Sequence, residues 1–286
     1  MHQSQLKLFV IIDPTNGEQI ALQKALLMSV LTDCEIHAFV CDYEDISEHG
    51  EYASTSDMKR RVLSHAREKV ELLMEICKEN NIHYSTEVVW NKNWYEAAIQ
   101  AAVRAGSDLI LKTSFHHDKA TRFFHKTSDY TLMRYCACPI LFTHRSQKWH
   151  SNRMLACVDL ESTDSEHTRL NNGIIKTARV MAETLSMDLT IAAAYEKTID
   201  KRLLHLEKDY STDITERLAN IFGIETENMI LRQGPTIETI QDICVETDPS
   251  ILVIGSIART GIHGKIIGNT AEKLLDVIEA DILTIS

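Results

Sequence analysis

The amino-acid sequence predicts an α/β fold made of two tandem doubly wound domains, each built on a parallel sheet. Short apolar segments of strand length alternate with helical patterns, as parallel βαβ crossovers require. The same order of segments occurs twice along the chain. The length of 286 residues also suits two domains better than one, at roughly 150 residues for each.

Each half of the chain contains five predicted strands separated by helices. The first strand of each half is an apolar run that ends in an acid, Asp13 in one half and Asp159 in the other. The first half reads as strand 8–15, helix 18–31, strand 35–43, helix 56–81, strand 83–90, helix 94–106, strand 107–112, a further helix and strand 139–143. The second half reads as strand 154–161, helix 171–185, strand 188–195, helix 199–223, strand 228–234, helix 236–247, strand 250–255, a further helix and strand 281–286. The polar segment 144–152 has no partner in the repeat, so we place it as the linker between domains 1–146 and 151–286.

The composition is typical of a globular protein, with 44% apolar and 25% charged residues. A net charge of -11 disfavours nucleic acid and anionic membranes as partners, because both repel an acidic surface. Apolar runs stay far below the roughly 20 residues of a membrane helix. The opening MHQSQLKLFVIIDPT has no charged segment leading into a long apolar one, so no signal peptide is predicted. We expect a cytoplasmic protein.

The seven cysteines, at 34, 41, 77, 136, 138, 157 and 244, form no CxxC pair. Cys136 and Cys138 alternate at the entry to a strand, which is too close for a sound zinc site without a second pair. We therefore expect free thiols that are buried or partly buried. The motifs G-x-S-x-G and H-E-x-x-H do not occur either, so no catalytic residue is predicted.

Residues 253–270, VIGSIARTGIHGKIIGNT, place four glycines within fourteen residues directly after a predicted strand. In a doubly wound fold the loop after a central strand faces the ligand, and glycines let its backbone approach phosphate oxygens. The segment is not a Walker A loop, because Arg259 and Ile266 stand where that pattern needs Gly and Ser or Thr. It predicts a phosphate site of another kind.

The same segment resembles the nucleotide-binding loop of the universal stress protein family, which reads G-x-x-G, nine residues, then G-[S/T]. Gly255 is the first glycine, and Gly268 follows the nine-residue spacer 259–267. Two identities depart from the pattern, since Ala258 replaces the second glycine and Asn269 replaces Ser or Thr. The segments RTGI and GNTAEKLL, with HHD in the first half, are similar to tandem members of the family, which also carry Asn after the last glycine.

This resemblance covers the whole chain and implies two flavodoxin-like domains, related to adenine nucleotide alpha hydrolases and packed as an internal pseudo-dimer. It implies a stress-response protein that binds ATP or another adenine nucleotide, with Mg²⁺ as a companion ion. Such a protein would act as a regulator with at most weak ATPase activity, and a homodimer is left open. In the implied site Asp159 faces the adenine or ribose, and the base is lined by Ala194, Tyr195 and Ile254. Gly234 and Pro235 border the pocket, and the triphosphate is held by Gly255, Ser256, Gly268, Asn269 and Thr270. Apart from the resemblance, Arg259 and Lys265 are placed in the loop to meet phosphate charge, with the role of plain surface cations as the alternative.

Ala258 decides how well the predicted loop holds a phosphate. If the backbone there needs a positive φ, the alanine Cβ costs on the order of 1 kcal/mol. That cost weakens nucleotide binding about tenfold. A loop of the same shape that holds no ligand is the alternative, and the sequence leaves both open.

The corresponding segment of the first half, LKTSFHHDKATRFFHKTSDY at 111–130, contains no glycine. Lys112 aligns with Gly255 by position after the strand, and bulky phenylalanines occupy the spacer. A backbone cradle for phosphate cannot form from these residues by the same route. We predict that the first domain has lost nucleotide binding.

The alternative function rests on the first domain and is that of a non-nucleotide small-ligand-binding or scaffold protein. Trp90 and Trp94 lie where the second half has Gly234 and Pro235. They would form an apolar wall for a ligand, although packing in a core is the commoner role of tryptophan. Weak metal candidates stand in the segment without glycines, namely His116, His117, Asp118 and His125. Adjacent histidines rarely reach one ion, so a solvated polar loop is the plainer interpretation.

Overall fold

A computed structural model describes residues 5–45, 54–114, 122–144, 148–161, 164–196, 213–261, 264–267 and 269–286. The chain divides into two compact units, Met1–Lys148 and Trp149–Ser286. No helix in these described ranges is long and apolar enough to cross a membrane.

The first unit is a five-stranded parallel sheet with connecting helices. Its elements are β1 (Leu6–Ile12), α1 (Ile20–Leu31), β2 (Cys34–Asp42), α2 (Thr55–Glu79), β3 (His83–Trp90), α3 (Trp94–Ala105), β4 (Leu109–Thr113), α4 (Arg122–Tyr135) and β5 (Ile140–Thr143). The strand order is β3-β2-β1-β4-β5, and neighbouring strands are parallel. Winding therefore reverses between β1 and β4, which makes their carboxyl ends the switch point.

The second unit repeats this arrangement strand for strand. Its elements are β6 (Arg153–Cys157), α5 (Ser165–Leu185), β7 (Asp188–Tyr195), α6 (Ile214–Phe222), β8 (Met229–Gln233), α7 (Thr236–Thr247), β9 (Ile251–Gly255), β10 (Ile257–Gly261), β11 (Gly264–Ile267), α8 (Asn269–Val277) and β12 (Asp281–Ile285). The parallel strands follow the order β8-β7-β6-β9-β12, and β10 pairs with β11 in a separate antiparallel hairpin. The switch point here lies between β6 and β9.

Burial explains why the strands read as continuous apolar runs. Leu8 and Val10 in β1, like Leu252 and Val253 in β9, are 0% exposed. Strands covered on both faces by helices need apolar side chains in both directions. The helices bury only one stripe, which in α2 consists of Met58, Val62, Ala66, Val70, Met74 and Cys77.

Local signals set the helix ends. The hydroxyl of Ser54 accepts a hydrogen bond from the Asp57 N–H at 3.2 Å and so caps α2. The carboxylate of Asp164 caps α5 by accepting from the N–H groups of Glu166 and His167, both at 3.0 Å. Helix α3 ends at Gly106, whose left-handed φ of 62° glycine adopts without strain.

The structure confirms the predicted fold class and corrects several details. Helix α5 begins at Ser165, six residues before the predicted 171, because Asp164 provides the cap. Of the predicted helix 199–223, residues Ile214–Phe222 form α6, while 199–212 lie outside the described residues. The glycine-rich segment, predicted as a loop, contains the two short strands β10 and β11.

All seven cysteines lie within the described ranges and are free thiols, as predicted. Burial raises the pKa of Cys34 and Cys41 to about 11 and that of Cys138 to about 12. These side chains are neutral near pH 7, which suits a packing role.

Candidate functional site at the carboxyl edge of the second unit

The switch point of the second unit brings together the two segments that the sequence singled out. Strands β6 and β9 are neighbours, with Ala156 paired to Val253. Asp159 follows the first of these strands, and Gly255 ends the second. Both therefore lie at the edge where doubly wound folds hold their ligands.

The backbone of Asp159 is held by one buried side-chain amide. Its N–H donates to Oδ1 of Asn171 at 3.1 Å, and its carbonyl accepts from Nδ2 of Asn171 at 2.6 Å. Asn171 is 6% exposed, so the loop after β6 is tied to the interior of α5. The carboxylate of Asp159 stays 46% exposed and can still accept hydrogen bonds from a ligand.

In the first unit, a side-chain amide holds the backbone of Asp13 through the same pair of hydrogen bonds. The Asp13 N–H donates to Oε1 of Gln19 at 3.0 Å, and Nε2 of Gln19 donates to the Asp13 carbonyl at 2.8 Å. Six residues separate this pair, against twelve for Asp159 and Asn171. The second unit thus has six additional residues before the amide, and most of them extend the start of α5.

Those additional turns place His167 against Asp159. Nδ1 of His167 lies 2.6 Å from Oδ2 of Asp164, and its Nε2 lies 3.6 Å from Oδ2 of Asp159. Its side chain is 15% exposed. Sequence reasoning missed His167, although an acid followed three residues later by histidine at a helix start is a visible signal.

The residues expected to line a base lie at the ends of β7 and β9, and those expected to border the pocket follow β8. Ala194 and Ile254 are buried at 8% and 3% exposure, whereas Tyr195 is partly exposed. The Gly234 N–H donates to the Tyr195 carbonyl at 2.9 Å, which joins the ends of β7 and β8. Pro235 follows as the residue before α7.

Close packing against helices is by itself a reason for glycine at two of the predicted site positions, Gly234 and Gly255. A Cβ on Gly234 would lie 2.6 Å from Oγ1 of Thr239 in α7. A Cβ on Gly255 would lie 2.6 Å from Cδ2 of Leu170 in α5. Such distances force neighbouring atoms to move, so both positions exclude larger residues in this conformation.

Ser256 is turned away from the loop. It is 1% exposed, and its N–H donates to the Ile285 carbonyl at 2.8 Å. Its Oγ donates to the same carbonyl at 3.1 Å and lies 3.0 Å from Oγ of Ser286. The hydroxyl is thereby engaged at the end of β12.

The backbone of the glycine-rich loop forms a hairpin. Ala258 pairs with Ile266 and Thr260 with Lys265, with an irregularity at Arg259 between them. Extended backbone has a negative φ, so Ala258 carries no left-handed strain in this conformation. Gly268 and His263 lie outside the described residues.

Helix α8 begins directly after Gly268, with Asn269 and Thr270 as its first residues. The first turn of a helix has N–H groups without intrahelical partners and a partial positive charge. This terminus therefore lies where the motif would place phosphate.

The strand register corrects the alignment of the first unit. Ser114 N–H donates to the Thr143 carbonyl at 2.9 Å, as Ser256 N–H does to Ile285 at 2.8 Å. The counterpart of Gly255 is therefore Thr113, and the predicted match to Lys112 is wrong by one residue. Thr113 fits because its hydroxyl accepts a hydrogen bond from the Ala21 N–H of α1 at 3.0 Å.

Lys112 instead corresponds to Ile254 and forms an ion pair near the carboxyl end of β4. Its Nζ lies 2.7 Å from Oδ1 of Asp129, a residue that is 6% exposed. The same Nζ lies 5.3 Å from the centre of the Trp94 ring. Trp94 thus covers an internal ion pair, while Trp90 contacts Tyr43 with ring centres 5.0 Å apart.

The weak metal candidates are mostly outside the structural description. His116, His117 and Asp118 lie outside the described residues, and of His125 only the backbone, in α4, is described. Within the described ranges, no group of three or more His, Cys, Asp or Glu side chains could hold a metal ion.

The two repeated units define the class of doubly wound α/β proteins, which comparison with known proteins narrows to a family. Residues 153–286 match the model of the Universal stress protein family. The whole chain is 27% identical over 301 residues to Universal stress protein E of Escherichia coli (strain K12), covering 100% of this chain and 94% of that protein. The second unit therefore belongs to the universal stress protein family, and the resemblance predicted from the loop is confirmed.

Solved structures agree with this assignment. A structure described as a universal stress protein from Pseudomonas aeruginosa matches with a TM-score of 0.76 and 26% identity, covering 99% of this chain and 94% of that one. A universal stress protein from Archaeoglobus fulgidus shares the fold with a TM-score of 0.71 at 13% identity, covering 98% of both chains.

Proposed function

We propose that the second unit binds ATP or another adenine nucleotide at the carboxyl edge of its sheet. The protein acts in this proposal as a cytoplasmic stress-response regulator with at most weak ATPase activity. The observation that carries the proposal is the convergence of Asp159 with the loop between Gly255 and Gly268 at one switch point. The spacing of that loop is the spacing of the family's nucleotide loop.

The base and ribose lie nearest Asp159 in this proposal. Its half-exposed carboxylate accepts hydrogen bonds from ribose hydroxyls or the adenine amino group. Tyr195 provides a partly exposed flat surface beside it. Ala194 and Ile254 are so deeply buried that they shape the floor of the site and offer little contact area.

The phosphates lie toward the loop and the start of α8. Asp159, Glu161 and Asp164 make the opposite side of the site acidic, which repels phosphate from that side. Arg259 and Lys265 bring positive charge to the loop, and Mg²⁺ bound with the nucleotide supplies more. The first turn of α8, opening with Asn269 and Thr270, offers free N–H groups.

The β10–β11 hairpin is expected to lower the affinity of the loop for a nucleotide. Ladder bonds between β10 and β11 engage part of the loop N–H groups that would otherwise bind phosphate. Nucleotide binding therefore requires partial opening of the hairpin, and the cost of opening lowers the observed affinity. Opening of the hairpin, and not strain at Ala258, would then weaken nucleotide binding.

Calorimetric titration of the full chain with ATP and Mg²⁺ tests the proposal. We expect one binding site per chain, with ATP turnover absent or slow. Neither heat nor a thermal shift at millimolar ATP would refute nucleotide binding by this protein.

A second candidate function, binding of a non-nucleotide ligand by the first unit, is favoured by the contact between Tyr43 and Trp90 at the carboxyl ends of β2 and β3. Tyr43 is 38% exposed and presents an aromatic surface at that edge. Planar ligands would quench the fluorescence of Trp90, and a Trp90→Leu variant would lose that response.

A further inference from the structure

The first unit contains a cavity of about 250 Å³ far from the carboxyl edge. Its lining comes from the early residues of β1, β2 and β3 and from the end of α3, and it includes Lys7, His37, Ser85, Glu87 and Arg104. These residues belong to the amino-terminal half of the sheet. The proposed nucleotide site, in the second unit, does not use them.

Four of the lining side chains form a chain of contacts. Nη2 of Arg104 lies 2.6 Å from Oε1 of Glu87. Oε2 of Glu87 lies 3.5 Å from Nε2 of His37. Nδ1 of His37 lies 2.8 Å from Oγ of Ser85, its direct neighbour across the β2–β3 ladder. The first and last of these contacts are short, the middle one is longer, and the chain ends on a hydroxyl.

The imidazole of His37 is fixed by its other neighbours. Phe9 stacks on it, with ring centres 5.2 Å apart and planes inclined by 21°. Nε2 lies 3.5 Å from Oε2 of Glu87 without forming a hydrogen bond to it. In the tautomer that carries its proton on Nε2, the Nδ1 lone pair faces the Ser85 hydroxyl, which then donates. Burial lowers the pKa of His37 more than the neighbouring Glu87 raises it, so the ring is neutral near pH 7 and can accept a proton.

We propose that Ser85 is an activated nucleophile for a small ester or thioester bound in this cavity, with His37 as its base and Glu87 as a positioning residue. The arrangement has the features of a serine nucleophile, with a hydroxyl bonded to a base and an acid beside the base. The cavity volume lies just below the usual range of about 300–1,000 Å³ for ligand pockets, which restricts the acyl group to a few carbons.

The reaction balances without a further reagent except water. Ser85 Oγ attacks the carbonyl carbon while its proton passes to Nδ1 of His37, and the bond to the alkoxide or thiolate leaving group breaks. His37 returns that proton to the leaving group. Water then attacks the acyl-serine, assisted by His37, and releases the carboxylic acid. Lys7 and Arg104 line the same cavity and have the charge that a developing oxyanion requires.

A fluorophosphonate probe tests this proposal on the full chain. The probe phosphonylates an activated serine with loss of fluoride, and peptide mapping by mass spectrometry locates the adduct. We expect a single adduct at Ser85, absent in Ser85→Ala and about a hundredfold slower to form in His37→Gln. Ser64→Ala, which removes an exposed hydroxyl on α2 outside the cavity, is the control and should label like the parent.

The pH profile separates a base from a merely structural histidine. The charged or titratable groups around His37 are Lys7 on β1, Glu35 on β2, Glu87 on β3 and Arg104 on α3. Labelling should remain fast at pH 7 and decline only below the ordinary histidine pKa of about 6.5. No adduct on the parent protein overturns the proposal, as does labelling that His37→Gln leaves unchanged. Circular dichroism of each variant excludes unfolding as the cause of lost labelling.

Discussion

Leu170 lies so close to Gly255 that a Cβ on the glycine would meet Cδ2 of the leucine at 2.6 Å. The glycine that begins the nucleotide motif is thus required by the packing of α5 on β9, whatever the loop binds. A variant of Gly255 that lost nucleotide binding would therefore not locate the phosphates.

We expect Gly255→Ala to destabilise the protein by about 1–3 kcal/mol, because it overpacks this contact. Adding Leu170→Ala removes the obstructing atoms, so Gly255→Ala should cost much less in that background. Urea denaturation of the parent, both single variants and the double variant measures the coupling. Equal costs in both backgrounds would contradict the packing explanation.

The ion pair of Lys112 and Asp129 gives a second stability prediction. Replacing Lys112 by Met leaves a buried carboxylate without its partner and should cost about 3–5 kcal/mol. Helix α4 ends at Tyr135 and α8 at Val277, the same offset as between Thr113 and Gly255, so Ala271 corresponds to Asp129. The double variant Lys112→Ile with Asp129→Ala therefore copies the second unit, and it should recover most of that loss. Denaturation midpoints report both effects. A single variant as stable as the parent would show that the pair is not effectively buried.

His37 makes the stability of the first unit depend on pH. Its folded pKa lies below the usual value, because of burial. The unfolded chain therefore binds more protons than the folded one in the window below about 6.5. Stability is fully present above that window and declines as the pH falls through it.

Urea denaturation between about pH 7.5 and about pH 5.5 should show this decline, and His37→Gln should reduce it because glutamine does not titrate. The same decline in both proteins would assign the effect to other groups.

The thiols supply a test of burial. A pKa of about 11 for Cys34 and Cys41 leaves on the order of a hundredfold less thiolate near pH 8 than an ordinary cysteine has. Iodoacetamide should accordingly modify both far more slowly in the folded protein than in urea. Mass spectrometry of timed samples follows each site, and rapid modification of folded Cys34 would contradict the packing described.

The fold could be predicted from the sequence because its causes are local. Apolar runs such as 250–255 have the length of strands and lie between helical patterns. Because the pattern occurs twice, the strands and helices predicted in one half support those predicted in the other. Details that depend on contacts distant in sequence could not be predicted. His37 and Ser85 are 48 residues apart and meet only through the β2–β3 register.

In the candidate site, too, local features could be predicted from the sequence and long-range contacts could not. Asp159 and the loop were found from strand ends and glycine spacing, which are visible in the sequence. Thr113 is identified as the counterpart of Gly255 by its pairing with Thr143 in the sheet. The sequence motif does not show that pairing, so alignment by motif alone matched Lys112 to Gly255 instead. The role of Leu170 beside Gly255 required the six additional residues near the start of α5, which no motif marks.

Opening of the β10–β11 hairpin on nucleotide binding predicts a change in amide exchange. ATP with Mg²⁺ should alter exchange across Ile257–Gly261 and Gly264–Ile267, because N–H groups leave the ladder and engage phosphate. The corresponding edge of the first unit should be unaffected. Hydrogen–deuterium exchange with mass spectrometry measures both regions, and a response confined to the first unit would contradict the proposed location.

The claim that the second unit holds the nucleotide is tested most directly by titrating ATP into Asp159→Ala and Asp13→Ala. The two positions are matched, since a side-chain amide holds the backbone of each through two hydrogen bonds. Loss of a charge-assisted hydrogen bond worth about 1.5–3 kcal/mol should weaken binding by Asp159→Ala at least tenfold. Asp13→Ala should bind like the parent. Weakened binding by Asp13→Ala, with Asp159→Ala unaffected, would contradict the account.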